Sequence, residues 1–372
     1  MLKKIEKSEI TSGKKLSMKQ FIFLIIIIIT ATESVCLPSF VASYAKEDSW
    51  LSVIISTIFS AFIFLIYYKL AMIFKEQSLF EYIEKITGKF IGKIISILYL
   101  LFCLNVAFVV TRQLIEIMNT AFMPETPALV FLIVTTIPVI YAVSKGLFVI
   151  AKMNEILLPF GIFALIFLTV MSLRNVKLDN FTPILAKGIL PPLIGSFPIT
   201  SWILESVILL VIFPHIEQKE KTLKGGLFAI IIVGFVSLIG VLPIGIFGAE
   251  TTANMQFPIL EQARNIRIEN YTARFDVFIV SIWITGIYIK IAVFIYFFLK
   301  GIEEIFKCDD YRFALLPMAT FLSILPAYAC RDIGNFLEYL KKVFTTENLI
   351  IEIIIPVLLF IIAKIKKLDK RN

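Results

Sequence analysis

Five charged groups stand where a membrane-spanning chain tolerates them least, and they are the residues able to do chemistry. Glu33 falls within Phe21 to Phe40, FIFLIIIIITATESVCLPSF, where Thr30, Ala31, Thr32 and Ser34 also interrupt the apolar run. At about 1.5 Å rise per residue it lies roughly 18 Å along a hydrocarbon core about 30 Å thick. A carboxylate at that depth is costly and marks a binding or ion site. Lys290 lies within VSIWITGIYIKIAVFIYFF, roughly 12 Å from the cytoplasmic end of its span if the apolar core ends near Phe298. Glu33 and Lys290 are then at similar depth. Pairing them would answer two charges that low dielectric leaves unsatisfied, and the other reading lets the Lys290 stem snorkel to the inner interface. Arg112 and Glu116 stand at i and i+4, so they share a helix face and can neutralise each other. Arg112 can instead dock a ligand carboxylate, which a guanidinium fork suits. Glu205 follows Ser201 and Trp202 and either lines a pocket or satisfies amides freed by a helix break.

Other chemistries are missing from the sequence. The single histidine, His215, has no Cys, Asp or Glu at ligand spacing, so no metal site is expected and a capping or interfacial role suits it. Cys36, Cys103, Cys308 and Cys330 show no paired spacing and read as small buried side chains. There is no phosphate loop, nucleophile elbow or metalloprotease motif. We expect no enzyme activity, no catalytic residues and no cofactor.

The elements that position these residues are membrane helices. With 59% hydrophobic and 17% charged residues and a mean hydropathy of +0.91, the chain of 372 residues is polytopic. The net charge of +8 comes from short basic runs between apolar segments and points to orientation in the bilayer, not to nucleic acid. Apolar stretches predict ten spans, about 20–43, 49–74, 92–122, 127–144, 148–172, 184–213, 224–248, 273–300, 312–330 and 348–365. Between the second and third, Lys75 to Phe90 places Leu79, Phe80, Ile83 and Ile86 at helical spacing, as in a helix along the interface. Ala249 to Arg274 forms the longest connection on the opposite side, a solvated loop or an outer gate.

Two spans carry interruptions. In the sixth, Pro191, Pro192, Gly195, Ser196 and Pro198 cannot all occupy an unbroken helix, because each proline lacks a donor and clashes with the preceding turn. The first is interrupted at Thr30 to Ser34. If 1–372 is a single membrane domain of two inverted halves, about 18–172 and 184–365, the two interruptions correspond. Such paired breaks point to a substrate site at the midplane.

Several motifs together resemble a known family. Leu16-Ser17-Met18-Lys19-Gln20 is similar to that family's entry into the first helix. Leu37-Pro38, then Asp48-Ser49-Trp50-Leu51-Ser52, resembles its Leu-Pro and Asp-Ala-Trp-Ile/Leu-Ser pattern, and Ala273-Arg274-Phe275-Asp276 its Glu-Arg-Phe-Asp element. The chain thus resembles, over essentially all ten spans, the spore germination permeases, B-type subunits of nutrient germinant receptors within the amino acid/polyamine/organocation transporter superfamily. The resemblance implies an all-α, leucine-transporter-like five-plus-five inverted repeat with broken helices 1 and 6. It places a pocket for a small nutrient, such as an amino acid, between those helices, flanked by 3 and 8. It also implies an A-type subunit and a C-type lipoprotein as partners, in the spore inner membrane, and signalling of germination. An amino acid or amine permease with proton or cation coupling is the alternative. The candidate ligand-binding residues are Thr30, Ala31, Thr32, Glu33, Arg112, Gly195, Ser196, Glu205 and Lys290. Between helices 1 and 8, the Lys290 ammonium would occupy the place a sodium ion fills in cation-coupled relatives. Relatives carry glycines in the first-helix break where this chain has Ala31 and Glu33.

Of the 36 Lys and Arg, 24 fall on the side of both termini and 10 on the other, with Arg112 and Lys290 inside spans. Both termini are therefore expected in the cytoplasm. Tags at either end should resist external protease in right-side-out vesicles and be cut in inverted ones; cutting in right-side-out vesicles would reverse the orientation.

Overall fold

The computed structural model describes residues 15–268, 271–272, 275–328 and 333–368. Within them the chain is a helical bundle. The first helix, Met18–Ala45, opens on a capping box: the Ser17 hydroxyl accepts from the Gln20 amide at 3.3 Å and Gln20 Oε1 accepts from the Ser17 amide at 3.1 Å. The second runs Ser49–Ile73, the third Lys89–Ala121, the fourth Ala128–Lys145 and the fifth Leu147–Ser172. The fourth and fifth are joined through Gly146 at φ +89°, a turn that a side chain would strain. The sixth span comprises Leu190–Ile203, a 3-10 segment Leu204–Ile208 and the turns that carry it to His215. The seventh is Thr222–Gly240 with Leu242–Phe247, the eighth Asp276–Phe306, the ninth Leu315–Tyr328 and the tenth Ile333 to Ile365. Ten spans are thus seen among the described residues.

Three sequence expectations are corrected here. The first helix has no gap at Thr30 to Ser34. Thr30 and Ser34 turn their hydroxyls onto the carbonyls of Ile26 and Thr30, at 2.8 and 3.0 Å, so these polar residues are satisfied within the helix. The sixth span does break, but at Leu204–Ile208. Pro191 and Pro192 sit in the first turn, where a missing donor costs nothing, and Pro198 is accommodated within the helix. The tenth span begins fifteen residues before its predicted start at 348. It includes two π-helical segments, Leu340–Phe344 and Ile350–Ile354, and its charged first half carries a Lys342–Glu338 pair at 2.6 Å.

The short helix between the second and third spans is Leu79–Thr87. Leu79, Phe80, Ile83 and Ile86 are buried against the third, eighth and tenth spans, so its apolar face meets protein rather than lipid. At the other end of the bundle, Arg264 joins the connection between the seventh and eighth spans to the rest. It donates to Glu261 and to the Ala121 carbonyl, both at 3.0 Å, and reaches Asp276 at 3.6 Å. Ala273 and Arg274 lie outside the described residues, as does Cys330; Cys36, Cys103 and Cys308 are free thiols.

The end of the bundle at which the first span begins is tied together. The Leu16 amide donates to the His215 carbonyl at 2.7 Å, and the Glu217 amide to the Leu16 carbonyl at 3.1 Å, tying the entry of the first span to the exit of the sixth. Lys19 reaches Glu155 of the fifth at 3.0 Å. Lys219 pairs with Glu76, and that ammonium holds the Glu76 carboxyl below the usual range.

At the centre, the first helix packs on the sixth, seventh and eighth. A Cβ on Gly286 would lie 2.9 Å from the Ala31 Cβ, so the eighth span approaches the first where only glycine fits, one turn before Lys290. Gly286→Ala should therefore push the two helices apart and cost about 1–3 kcal/mol, read as a lower unfolding midpoint of the purified protein; an unchanged midpoint would show that the approach is not tight.

Candidate functional site

Lys290 and Glu205 have no exposed surface, and Lys290 Nζ lies 2.6 Å from Glu205 Oε2. The same ammonium donates to Thr32 Oγ1 at 2.6 Å. Three helices thereby meet at one charge: the eighth supplies the lysine, the first the hydroxyl and the sixth the carboxylate. Local structure explains the carboxylate's position. Glu205 is the second residue of the 3-10 segment, and tightening from 3.6 to about 3 residues per turn rotates the following side chains relative to an α-helix. Neither Glu205 oxygen has a partner meeting hydrogen-bond angles, so the pair is a contact of charges more than a directed bond.

Glu33 does not pair with Lys290. Its Oε1 accepts from the Ser237 hydroxyl of the seventh span at 2.6 Å, and Glu33 is 1% exposed. Thr32 and Glu33 are adjacent, so they point about 100° apart around the helix, and only one of them can face the eighth span. Thr32 does. Gln113 of the third span donates to the Thr32 carbonyl at 3.2 Å and so borders the same turn.

The other expected site residues are placed elsewhere. Thr30 and Ala31 line an apolar cavity of about 560 Å³ between the first, fifth, seventh and eighth spans, with Phe160, Phe163 and Trp283 among its other walls. Trp283 donates to Ser34 there at 3.0 Å. Glu33, Glu205 and Lys290 are not among the residues lining it. Gly195 is a packing residue, since a Cβ there would meet Ser52 Oγ at 2.7 Å, and Ser196 returns its hydroxyl to the Leu193 carbonyl at 2.7 Å. Arg112 is engaged by Glu116, with Nε to Oε1 at 2.7 Å, and by the Pro326 carbonyl at 3.0 Å. That arrangement matches the local ion pair and occupies the guanidinium.

Sequence reasoning passed over Ser237, Gln113 and, above all, Glu352 of the tenth span. Glu352 has no exposed surface and lies within electrostatic reach of Glu205 and Lys290. It is a carboxylate inside the apolar run NLIIEIIIPVLLF, the same signal that singles out Glu33.

Chemically, the arrangement is a buried cation held between a carboxylate and a hydroxyl, with two further carboxylates nearby. Histidine, cysteine and acidic residues form no metal-binding group among the described residues.

Comparison with known proteins bears on the family and the fold. A family profile described as spore germination protein matches residues 15–332. Spore germination protein KB of Bacillus subtilis (strain 168) is 28% identical over 364 residues, 95% of either chain. Spore germination protein YndE of the same organism is 24% identical over 358 residues, 95% of this chain and 97% of that one. Among solved structures, a sodium-coupled sialic acid symporter in a substrate-bound outward-open state superposes with a TM-score of 0.66 at 12% identity, covering 93% of this chain and 82% of that one. The fold is therefore that of the leucine-transporter-like membrane proteins.

Removing the Ser237 hydroxyl by Ser237→Ala should leave Glu33 short of a donor and cost about 1–3 kcal/mol. In a Glu33→Leu background the same change should cost clearly less, measured by denaturation of the purified protein. Equal losses in both backgrounds would mean that the serine acts independently of Glu33.

Proposed function

The chain belongs to the spore germination protein family, and from that premise we propose that it is the B-type subunit of a nutrient germinant receptor, binding a small nutrient at mid-membrane. The observation that supports this reading is the Lys290–Glu205 pair with Thr32 beside it. An amino acid carries an ammonium and a carboxylate of its own. Such a zwitterion can exchange with the pair charge for charge: its carboxylate takes the Lys290 ammonium, and its amine takes Glu205. No net charge is left in low dielectric at either stage.

Occupancy becomes a signal because the pair joins the first, sixth and eighth spans. A ligand that separates Lys290 from Glu205 favours a different arrangement of those helices, and only such differential affinity shifts a conformational equilibrium. The tied end, where the first and sixth spans are hydrogen-bonded, is where that shift would be passed on. In this reading the receptor partners are an A-type membrane subunit and a C-type lipoprotein, the location is the spore inner membrane, and both termini face the cytoplasm.

A permease working by alternating access is the second reading, favoured by the likeness of fold to a coupled symporter. Lys290 separates the two: a fixed ammonium where a coupling cation would sit makes a sodium requirement unnecessary.

Spores carrying Lys290→Met, compared at matched amounts of assembled protein, should lose the response to nutrient, and the wild-type response should not depend on sodium. A normal response in the variant would contradict the proposal. Accumulation of labelled amino acid by reconstituted vesicles, with vegetative uptake reduced by deletion, would establish the permease.

A further inference from the structure

The buried charges do not balance. Glu33, Glu205 and Glu352 are each at most 1% exposed, and Lys290 is the one cation bearing on all three among the described residues. Lys290 is committed to Glu205, and Glu33 has the Ser237 hydroxyl. Glu352 has nothing: both of its carboxyl oxygens are buried without a hydrogen-bond partner.

The surroundings of Glu352 are polar and equally unpaired. It lies in the π-helical segment Ile350–Ile354, which packs on the sixth-span break Leu204–Ile208. That break in turn packs on the second span. The Asn348 amide nitrogen, one turn before Glu352, has no acceptor, and the hydroxyls of Ser206, Ser56 and Ser60 have no partner among the described residues. Serines in these helices ordinarily close onto a carbonyl one turn back, as Ser237 does onto Val233 at 2.9 Å. Ser56, Ser60 and Ser206 do not. Five buried polar side chains on three mutually packed segments therefore leave their bonding capacity open.

The ionisable groups that bear on Glu352 are few. The sixth span presents Glu205 and the eighth Lys290. From the second span, Tyr67 donates its hydroxyl to the Glu352 backbone carbonyl at 2.5 Å. From the third, Tyr99 donates to the Ile351 carbonyl at 3.5 Å, with Cys103 adjoining it. None of these adds a cation. An ionised Glu352 would have only the ammonium already held by Glu205 to answer it, and carboxylates that bear on each other are not readily ionised together in low dielectric.

We propose that Glu352 is a proton-binding site, separate from the Lys290–Glu205 pair, whose protonation state sets how the tenth span packs against the second and sixth. The proton comes from water and returns to it. This assignment does not depend on the identity of any nutrient or on the receptor reading. The protonated carboxyl donates one O–H, and its loss leaves a bare charge in the bundle. Stability is therefore fully present at low pH and falls as pH rises.

The test uses the purified full-length protein in lipid nanodiscs without nutrient. At neutral pH the infrared difference between wild type and Glu352→Gln should contain a protonated-carboxyl C=O stretch belonging to wild type. The wild-type thermal midpoint should fall as pH rises above the ordinary carboxylate range, and that of Glu352→Gln should fall less, since the amide mimics the protonated form. If Glu352→Gln does not accumulate, Glu352→Asp should retain the carboxyl stretch at a shifted frequency. Absence of the difference band, an unmoved band in Glu352→Asp, or a pH profile shared by wild type and Glu352→Gln would overturn the proposal. So would a midpoint raised by sodium over choline at fixed pH in wild type but not in Glu352→Gln, which would make the site one for a metal cation.

Discussion

Lys290 carries a charge with no exposed surface, and it must be answered from inside the protein. Taking an ammonium out of water costs several kcal/mol even after relaxation, and removing its partner costs about 3–5 kcal/mol. The bundle is arranged around that requirement. Gly286 lets the eighth helix come against Ala31 of the first, one turn before Lys290. The first helix then offers Thr32, and the sixth tightens into a 3-10 segment that presents Glu205. Changing any one of these leaves the ammonium under-coordinated, so the site and the helix packing cannot be adjusted separately.

The same constraint explains why the first helix remains continuous. Its polar residues are each satisfied locally or by one neighbour: Thr30 and Ser34 by their own helix, Glu33 by Ser237, the Thr32 carbonyl by Gln113. Unwinding there would free backbone groups that the present structure does not need to satisfy. The irregular part of the site is therefore the sixth span. Its 3-10 break carries Glu205 and Ser206 and faces the π-helical part of the tenth, and both segments depart from regular helix geometry where the unpaired polar groups lie.

Much of this was legible in the sequence, for identifiable reasons. Membrane helices announce themselves by hydropathy, so the ten spans and the family resemblance follow from the chain alone. Arg112 and Glu116 pair because i and i+4 fix their relation without any tertiary knowledge. The partner of Lys290 was not legible. Depth along a helix can be counted from the sequence, and it places Glu33 level with Lys290, but rotation about the helix axis decides which of two adjacent residues faces a neighbour. Thr32 took that position. The sixth-span break was placed at the prolines because proline is the visible helix breaker, whereas two of them occupy a first turn, where they are tolerated. Glu352 was overlooked because Glu338, Lys341 and Lys342 made the first half of its helix resemble a loop, leaving the carboxylate near an apparent span end.

The account rests on the Lys290–Glu205 pair holding the first, sixth and eighth helices together, and a double-mutant cycle measures that directly. Unfolding free energies of wild type, Lys290→Met, Glu205→Leu and the double variant should show each single change costing about 3–5 kcal/mol and the double change costing less than either. Additive costs, with the double variant bearing the sum of the two, would mean that the two charges are buried side by side without depending on each other.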